Sequence, residues 1–334
     1  MTNFIKKERD KSIDIARGLA IILVVVGHSG INQYFWNLIY FFHMPLFFFI
    51  SGCFFRPLQK FDLLTYIRKL RWNELYKNFV IYSIGFLIIS PLLCHYGISK
   101  SDVTSWGDFL SRIIIILRFR TSTIDLLGQF WFLPVLFFIH AISLLFVRVR
   151  NQYVFYIAVL VYFIGRYCYN QGWNEPYDFS RILYFMGFYL MGFYLYPYKN
   201  KYIKYRNLFV LLCLSIVLLL SIIPNKTFTS VPLYFVAALS GIYVIIYISD
   251  KISKYKSDVL CSVGKHTLDI FIFHTIVMKV MEKCVAHFGL IQNVDGWSGG
   301  NIVSPYWLLF TVFGIVIPLA YIYFKKSMTI HIKI

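Results

Sequence analysis

Residues 12–28 read SIDIARGLAIILVVVGH, an apolar segment that contains three ionisable side chains. At about 100° per residue, Arg17 and His28 are three turns and roughly 20° apart, so both lie on one stripe of a helix, about 16 Å apart along its axis. Asp14 precedes Arg17 by three residues and falls on the same stripe. A charge at bilayer depth costs roughly 2.5–3.5 kcal/mol on insertion scales, so such residues mark functional pathways. The segment therefore predicts a membrane helix that carries chemistry.

The composition is that of a polytopic membrane protein. Of the 334 residues, 59% are hydrophobic and only 14% are charged, against about 25% charged in an ordinary globular domain. The apolar runs are long and continuous, which excludes the alternating pattern of a transmembrane barrel. Helices are the other structure that satisfies the backbone in lipid. We therefore expect an all-α membrane helical bundle that forms a single domain over residues 1–334.

Ten apolar segments predict ten transmembrane helices. A shorter apolar stretch, 106–118, does not reach across a bilayer and predicts an interfacial or re-entrant helix. The basic N-terminus runs into an apolar stretch without a small-residue cleavage site, which predicts a retained signal-anchor. The predicted transmembrane helices cover about residues 13–30, 36–55, 75–95, 128–147, 152–169, 180–197, 207–223, 230–249, 267–288 and 304–324.

The net charge of +18 comes from Lys and Arg residues in short loops between apolar spans. This is the positive-inside pattern of membrane proteins, and it argues against a nucleic-acid partner. The loops on the side of the N-terminus carry most of these basic residues, so we expect both termini to be cytoplasmic. Arg17 then lies near the cytoplasmic end of the first helix, and His28 lies near its outer end.

The second predicted helix contains His43 and Pro45, and it closes with Ser51 and Gly52. A proline in a helix frees a backbone carbonyl, and small residues let another backbone or a ligand approach closely. Ordinary small-residue helix packing explains Ser51 and Gly52 equally well. The position of His43 beside the proline favours a water-lined cavity.

Arg68 and Arg71 follow the second helix and are three residues apart. On a helix they share one face, where two guanidinium groups can hold the oxygens of a phosphate. Generic positive-inside charge also explains both residues. In the same way, Arg17 also fits a side chain that snorkels to the interface, with Asp14 as its counter-ion.

Further candidate residues lie in the later helices. Trp131 opens the fourth helix and also fits an aromatic belt, whereas Asp269 and His274 lie at membrane depth. His140 and Arg166 are candidates that also fit buried, hydrogen-bonded groups. The six cysteines have neither CxxC nor Cys/His ligand spacing, so no disulfide framework and no metal site are predicted.

Together these motifs resemble the acyltransferase-3 family of integral-membrane O-acyltransferases. That family's first helix carries an arginine, ten residues and a histidine, as at Arg17 and His28, with a preceding acid that matches Asp14. Its Phe-Phe-x-x-Ser-Gly motif matches residues 47–52, and its Arg-x-x-Arg motif matches residues 68–71.

The Trp-Phe-Leu segment at 131–133 and residues 264–274 also look like recurrent segments of that family. The resemblance implies transfer of an acyl group, usually acetyl from cytoplasmic acetyl-CoA, to a hydroxyl of a cell-surface or lipid-linked glycan. It also implies a multi-pass protein of the bacterial cytoplasmic (inner) membrane. Because the sequence ends after the tenth predicted span, at Ile334, we expect a stand-alone member without an extracytoplasmic esterase-like domain.

The resemblance also suggests roles for the motif residues. His28 is the expected general base on the acceptor hydroxyl, because an imidazole titrates near neutral pH. Arg17 is expected to meet the donor, and Asp14 to orient Arg17. The other motif residues are expected to bind the donor (Arg68, Arg71, Ser51 and Gly52) or to line the substrate cavity (His43, Trp131 and His274).

Other functions fit parts of the pattern. A transporter or flippase would also line its path with intramembrane charges, but the sequence has no internal repeat and no matched pair of broken helices. A lipid-linked glycan polymerase would have a large external loop, and the longest one predicted here, 96–127, is modest. For an acyltransferase, both direct transfer and a covalent acetyl-histidine intermediate remain open.

Overall fold

The fold is a bundle of helices. The computed structural model describes residues 10–100, 103, 105–120, 125–148, 150–173, 177–199, 206–289 and 303–331. Across these ranges the chain forms helices and turns and no strand, which confirms the predicted all-α class. The basic residues of the predicted signal-anchor that precede residue 10, and the end of the chain at Ile334, lie outside the described residues.

Fourteen α-helices follow one another in the described part of the chain. Each of the ten predicted helices corresponds to a helix of similar extent. The helices are α1 (Lys11–His28), α2 (Gln33–Cys53), α3 (Leu63–Lys69), α4 (Lys77–His95), α5 (Trp106–Leu117), α6 (Phe132–Phe146), α7 (Gln152–Asn170), α8 (Phe179–Leu195), α9 (Arg206–Leu220), α10 (Pro224–Thr229), α11 (Val231–Ile252), α12 (Asp258–Lys265), α13 (Thr267–His287) and α14 (Trp307–His331).

Half of the predicted transmembrane helices meet the length and composition needed to cross a bilayer. Some of the remaining helices are too short, since α8 has 17 residues and α9 has 15. Others, such as α1 and α13, carry several charged side chains. Ten crossings, the side of the termini and a single domain over residues 1–334 therefore stay predictions. Within the described ranges the five qualifying segments are Gln33–Cys53, Leu63–His95, Gly128–Phe146, Val231–Ile252 and Trp307–Lys325.

Helix α5 is the short helix predicted at 106–118. It has 12 residues and begins at an N-cap serine. Its exposed apolar side chains, Trp106, Leu110, Ile114 and Leu117, recur at helical spacing and form one stripe. An amphipathic helix of this kind suits the membrane interface, and that location stays a prediction.

Local sequence determines where α1 and α2 meet. The Asp10 side chain accepts a hydrogen bond from the backbone N–H of Ser12 and begins α1, and Asn32 does the same for Tyr34 at the start of α2. Between them Gly30 has a φ of 80°, a left-handed conformation that glycine adopts without strain. The tight turn places His28, at the end of α1, beside the first turns of α2.

Paired glycines bring helix backbones into contact. A Cβ atom on Gly52 of α2 would overlap the backbone of α8, and one on Gly192 of α8 would overlap the backbone of α2. Small residues at such contacts are how helices pack closely in a membrane. The same reciprocal arrangement joins α1 to α12 through Gly18 and Gly264, and α7 to α8 through Gly165 and Gly187.

The α2–α8 contact leaves no room for a side chain at Gly192, and this can be tested. We expect Gly192→Ala to lower the stability of the purified protein by roughly 1–3 kcal/mol, because the added methyl group must push two backbones apart. Thermal unfolding in one detergent measures the change. Gly85→Ala is the matched control, since a Cβ atom at Gly85 meets nothing within 4 Å. Equal melting temperatures for the two variants would contradict the role of the contact.

The start of α1 is also tied to the end of α8 by charge. The Asp10 carboxylate accepts a hydrogen bond of 2.6 Å from the Tyr196 hydroxyl and forms an ion pair with Lys199. Partial burial raises the pKa of Asp10, but hydrogen bonds from Lys199, Tyr196 and Ser12 outweigh burial and lower that pKa to about 2. Ionised Asp10 therefore stabilises the folded state.

The sign of this effect can be tested with Asp10→Asn, which keeps a capping side chain and removes the charge. The folded pKa of Asp10 lies below the unfolded value of about 3.9, so its contribution is complete above about pH 4 and is lost as the pH falls towards 2. We expect the variant to melt at a lower temperature than the parent at pH 7, and the gap to narrow in acid. Asp62→Asn, at the exposed cap of α3, is the control and should change the melting temperature less. A gap that does not depend on pH would contradict the assignment.

Candidate functional site

The ionisable stripe of the first helix is confirmed. Arg17 and His28 lie on one uninterrupted helix, α1, with His28 as its last residue. The half-buried Arg17 guanidinium lies 4.7 Å from the centre of the Phe54 ring, just beyond α2. Asp14 is buried where α1 contacts α12. We call the two ends of the bundle the Arg17 end and the His28 end.

Three histidines from three helices meet at the His28 end. The ring centres of His28 and His274 are 5.4 Å apart. Tyr40 lies between His28 and His43, with its ring centre 6.2 Å from that of His28 and 4.6 Å from that of His43. We call His28, Tyr40, His43 and His274 the histidine cluster. It joins α1, α2 and α13 around one point.

Backbone carbonyls fix the tautomers of two members of the cluster. Nδ1 of His43 lies 2.9 Å from the carbonyl oxygen four residues earlier, and Nδ1 of His274 lies 2.9 Å from that of Phe271. A carbonyl oxygen only accepts, so each Nδ1 carries the proton and each neutral ring keeps its lone pair on Nε2. Nε2 of His274 lies 3.3 Å from the Thr275 hydroxyl oxygen. Among the described residues we find no hydrogen-bond partner for the His28 ring, which is therefore available to a substrate.

A cavity of about 890 Å³ opens beside the cluster. Its lining residues come from the His28 end of α1 and α2, from α7, α8, α10, α11 and α13, from the segment after α4 and from the 3₁₀ turn that precedes α6. His28, His43 and Trp131 line it, and a role of His43 and Trp131 in substrate binding stays a prediction. His274 does not line it: the side chain is fully buried beside His28.

Three stacked aromatic rings lie where the cavity lining ends towards the Arg17 end. The ring centre of Phe185 lies 5.4 Å from that of Trp131 and 4.3 Å from that of the buried Phe48, and the ring centres of Phe48 and Trp131 are 6.4 Å apart. We call Phe48, Trp131 and Phe185 the aromatic floor. On α1 the cavity lining reaches Val24 but not Arg17, which is about 10 Å further along the helix axis.

The cavity lining is rich in positive charge. Of the described lining residues, five are Lys or Arg and one, Glu282, is acidic. Sequence reasoning missed the importance of Arg181 and Tyr40, because a single arginine near a loop and one tyrosine among 26 carry no signal alone. Arg166 was a candidate, and it is a buried residue of this wall. The basic lining residues are Lys100, Arg166, Arg181, Lys279 and Lys283.

The structure separates the two arginines of the predicted phosphate clamp. Arg68 lies in the last turn of α3, but the helix ends at Lys69, and Arg71 comes after Leu70 has left the helical conformation. The prediction that the two share a helix face is therefore wrong. Arg71 forms an ion pair with Glu74, three residues on, at the start of a π-helical turn. Donor binding by either arginine stays a prediction.

Ser51 and Gly52 lie at the Arg17 end, close to the aromatic contact of Arg17. The carbonyl oxygen of Ser51 accepts a hydrogen bond from Phe54, whose ring the Arg17 guanidinium contacts. Gly52 packs against the α8 backbone, in agreement with the helix-packing interpretation of this residue pair. Their contribution to donor binding stays a prediction.

His140 is a half-buried group with hydrogen bonds at both ring nitrogens. Its Nδ1 lies 2.9 Å from the Tyr189 hydroxyl, and its Nε2 lies 3.1 Å from the carbonyl oxygen of Lys69. The ring therefore connects α6 and α8 to the end of α3. Asp269, by contrast, lies 3.7 Å from the ring of His266 in the break between α12 and α13.

Comparison with known proteins identifies the family of the chain. A family model described as an acyltransferase domain matches residues 10–324, nearly the whole chain. No curated protein and no solved structure gives a significant match. The matched region contains the apolar helices, the histidine cluster and the cavity, so the protein is a multi-pass membrane acyltransferase. The chain belongs to the acyltransferase-3 family.

Proposed function

We propose that this acyltransferase moves an acetyl group from acetyl-CoA to a hydroxyl of a cell-surface or lipid-linked glycan held in the cavity. The observation that carries the proposal is the position of His28 on the wall of a cavity of about 890 Å³, at the end of the helix that also carries Arg17. One helix thus connects a cationic side chain to a neutral imidazole.

The distribution of loop charges supports the direction of transfer. The Arg17 end holds the start of α1 and the basic loops, which the positive-inside rule assigns to the cytoplasm. Acetyl-CoA is a polyanion made in that compartment, and Arg17, with Arg68 and Arg71, would hold its phosphates. The His28 end then faces outwards, where the glycan arrives, in the inner membrane of a bacterium.

His28 would act as general base. Its neutral ring takes the proton of the acceptor hydroxyl as that oxygen attacks the thioester carbonyl. A new C–O ester bond forms, the C–S bond breaks, and the proton passes to the departing CoA thiolate. In the covalent variant the imidazole attacks first, releases CoA and then yields the acetyl group to the hydroxyl.

The neighbours of His28 suit this task. His43 and His274 hold their protons at Nδ1 through backbone carbonyls. Neither ring then offers His28 a strong acid, and the packing of Tyr40 and His274 against it limits the directions that the imidazole can face. A base that is held in place and has no hydrogen-bond partner among the described residues can accept a proton from a substrate.

We expect His28→Ala to reduce acetyl transfer by about 10²–10⁴-fold, because the general base is removed. Two measurements test this: release of CoA thiol by purified protein with added glycan, and the acetyl methyl NMR signal of the surface polysaccharide in cells. His95→Ala, at an exposed histidine that ends α4, is the matched control and should retain activity. Normal acetylation by a correctly inserted His28→Ala variant would refute the proposal. Transport of glycan by the wild-type protein without any turnover of acetyl-CoA would also refute it.

We expect Arg17→Ala to raise the KM for acetyl-CoA by about 10–100-fold, as expected for loss of a hydrogen bond to a charged group. The KM for the glycan should stay constant, since Arg17 does not line the cavity. Steady-state kinetics with each substrate varied in turn measures the split. Lys256→Ala, an exposed cation in the loop before α12, serves as control. A change confined to the glycan KM would place the donor elsewhere.

A further inference from the structure

We propose that Arg166 and Arg181 bind an oxyanion of the acceptor, so that the natural acceptor is an acidic saccharide rather than a neutral one. The inference rests on the proposed function, because it names the class of glycan that the same cavity takes. The shared chemistry is a carboxylate or phosphate oxygen, carried either by an acidic sugar or by the phosphate of a lipid-linked one.

Arg166 is a cation buried among aromatic rings. Its side chain lies on α7 with only 5% of its surface exposed. The guanidinium lies 4.2 Å from the ring centre of Tyr234, 5.2 Å from that of Tyr169 and 5.3 Å from that of Tyr184. One of its terminal nitrogens donates to the carbonyl oxygen of Phe228.

Among the residues that the structure describes, Arg166 has no anionic partner. Within the described ranges no carboxylate forms an ion pair with it, and its Nε is buried without a hydrogen-bond acceptor. A buried cation of this kind is costly, and aromatic faces compensate for only part of that cost. Such residues at membrane depth mark substrate sites. An incoming oxyanion at the cavity wall would supply the missing charge.

Arg181 extends the same wall. Its guanidinium lies 5.0 Å from the ring centre of Trp131 and 5.6 Å from that of Tyr169, the ring that Arg166 also contacts. Asp178 neutralises part of its charge at 3.4 Å. Two guanidinium groups therefore share one tyrosine, and both line the cavity that His28 lines.

The remaining polar groups of the cavity favour the same class of ligand. The side-chain amide nitrogen of Gln129 is buried on the lining and has no acceptor within the described part of the chain, as a donor to a sugar oxygen would be before binding. Three lysines and one glutamate complete the charged lining, so the cavity potential is positive and attracts anions. A saccharide anchored by its acid at this wall would present a hydroxyl to His28.

Binding and turnover of defined probes test the inference with the full-length protein in detergent. The probes are an oligosaccharide that contains a uronic acid, the same oligosaccharide with the carboxyl group reduced to a primary alcohol, and a neutral saccharide linked to a polyprenyl pyrophosphate. Binding is measured by calorimetry on His28→Ala protein, so that affinity is read without acetyl transfer. Turnover is measured on protein with His28 intact.

We expect an anionic probe to bind at least tenfold more tightly than the reduced oligosaccharide. Arg166→Gln and the less buried Arg181→Gln should each remove that preference while leaving the KM for acetyl-CoA unchanged, and Arg166→Lys should restore part of it. Arg112→Gln, whose parent side chain pairs with Asp108 on α5 outside the cavity, is the control. Preference for the uronic-acid probe identifies a sugar carboxylate, and preference for the lipid-linked probe identifies a phosphate.

The two proposals fail in different ways. Equal binding of charged and neutral probes, or a preference that survives both Arg166→Gln and Arg181→Gln in folded protein, would overturn the oxyanion site. Charge-dependent binding without any release of CoA thiol would keep the oxyanion site and refute the acetyl transfer. Melting temperatures of the variants separate loss of the site from loss of the fold.

Discussion

Close contact between helix backbones is the constraint on which this structure depends. Lipid gives helices no hydrophobic reason to associate, so packing must provide the attraction. Glycines at the α1–α12 contact place α1 against the segment that leads into α13, and so bring His274 beside His28. Glycines at the α2–α8 contact hold His43 and Arg181 on one cavity. The positions of these glycines in the helices therefore determine which side chains meet at the site.

Charge is distributed along the bundle in two separate groups. The Arg17 end carries a half-buried arginine against an aromatic ring and an ion-paired first turn at Asp10. The His28 end carries neutral imidazoles in front of a wall that contains Arg166 and Arg181. The apolar middle of α1 separates the two groups. On the proposed function, the first group would bind an anionic donor and the second an anionic acceptor, and an enzyme that joins two substrates from opposite sides of a membrane would need that separation.

The sequence was sufficient to predict the helices and the alignment of Arg17 and His28 on one of them. Long apolar runs predicted ten helices, and helical periodicity predicted that Arg17 and His28 share a stripe, because both depend on local sequence. The prediction that Arg68 and Arg71 share a helix face was wrong because Leu70 leaves the helix. The apolar pattern of the sequence does not encode that local conformation. His274 was assigned to the cavity but lies buried beside His28, and the importance of Arg181 went unseen. Both depend on which helices pack together, and that information is spread over distant glycines.

The aromatic floor bears on how an acyl group would travel between the two ends. The stacked rings of Phe48, Phe185 and Trp131 lie where the cavity lining ends towards the Arg17 end. On the proposed mechanism the thioester must pass this layer, while water and ions must not. A layer of rings would meet both demands, since side-chain rotation would admit a thin flexible arm and a closed stack would exclude water from the reactive ester. On the proposed mechanism, the length of α1 between Arg17 and His28 would be the reach that the carrier arm has to cover.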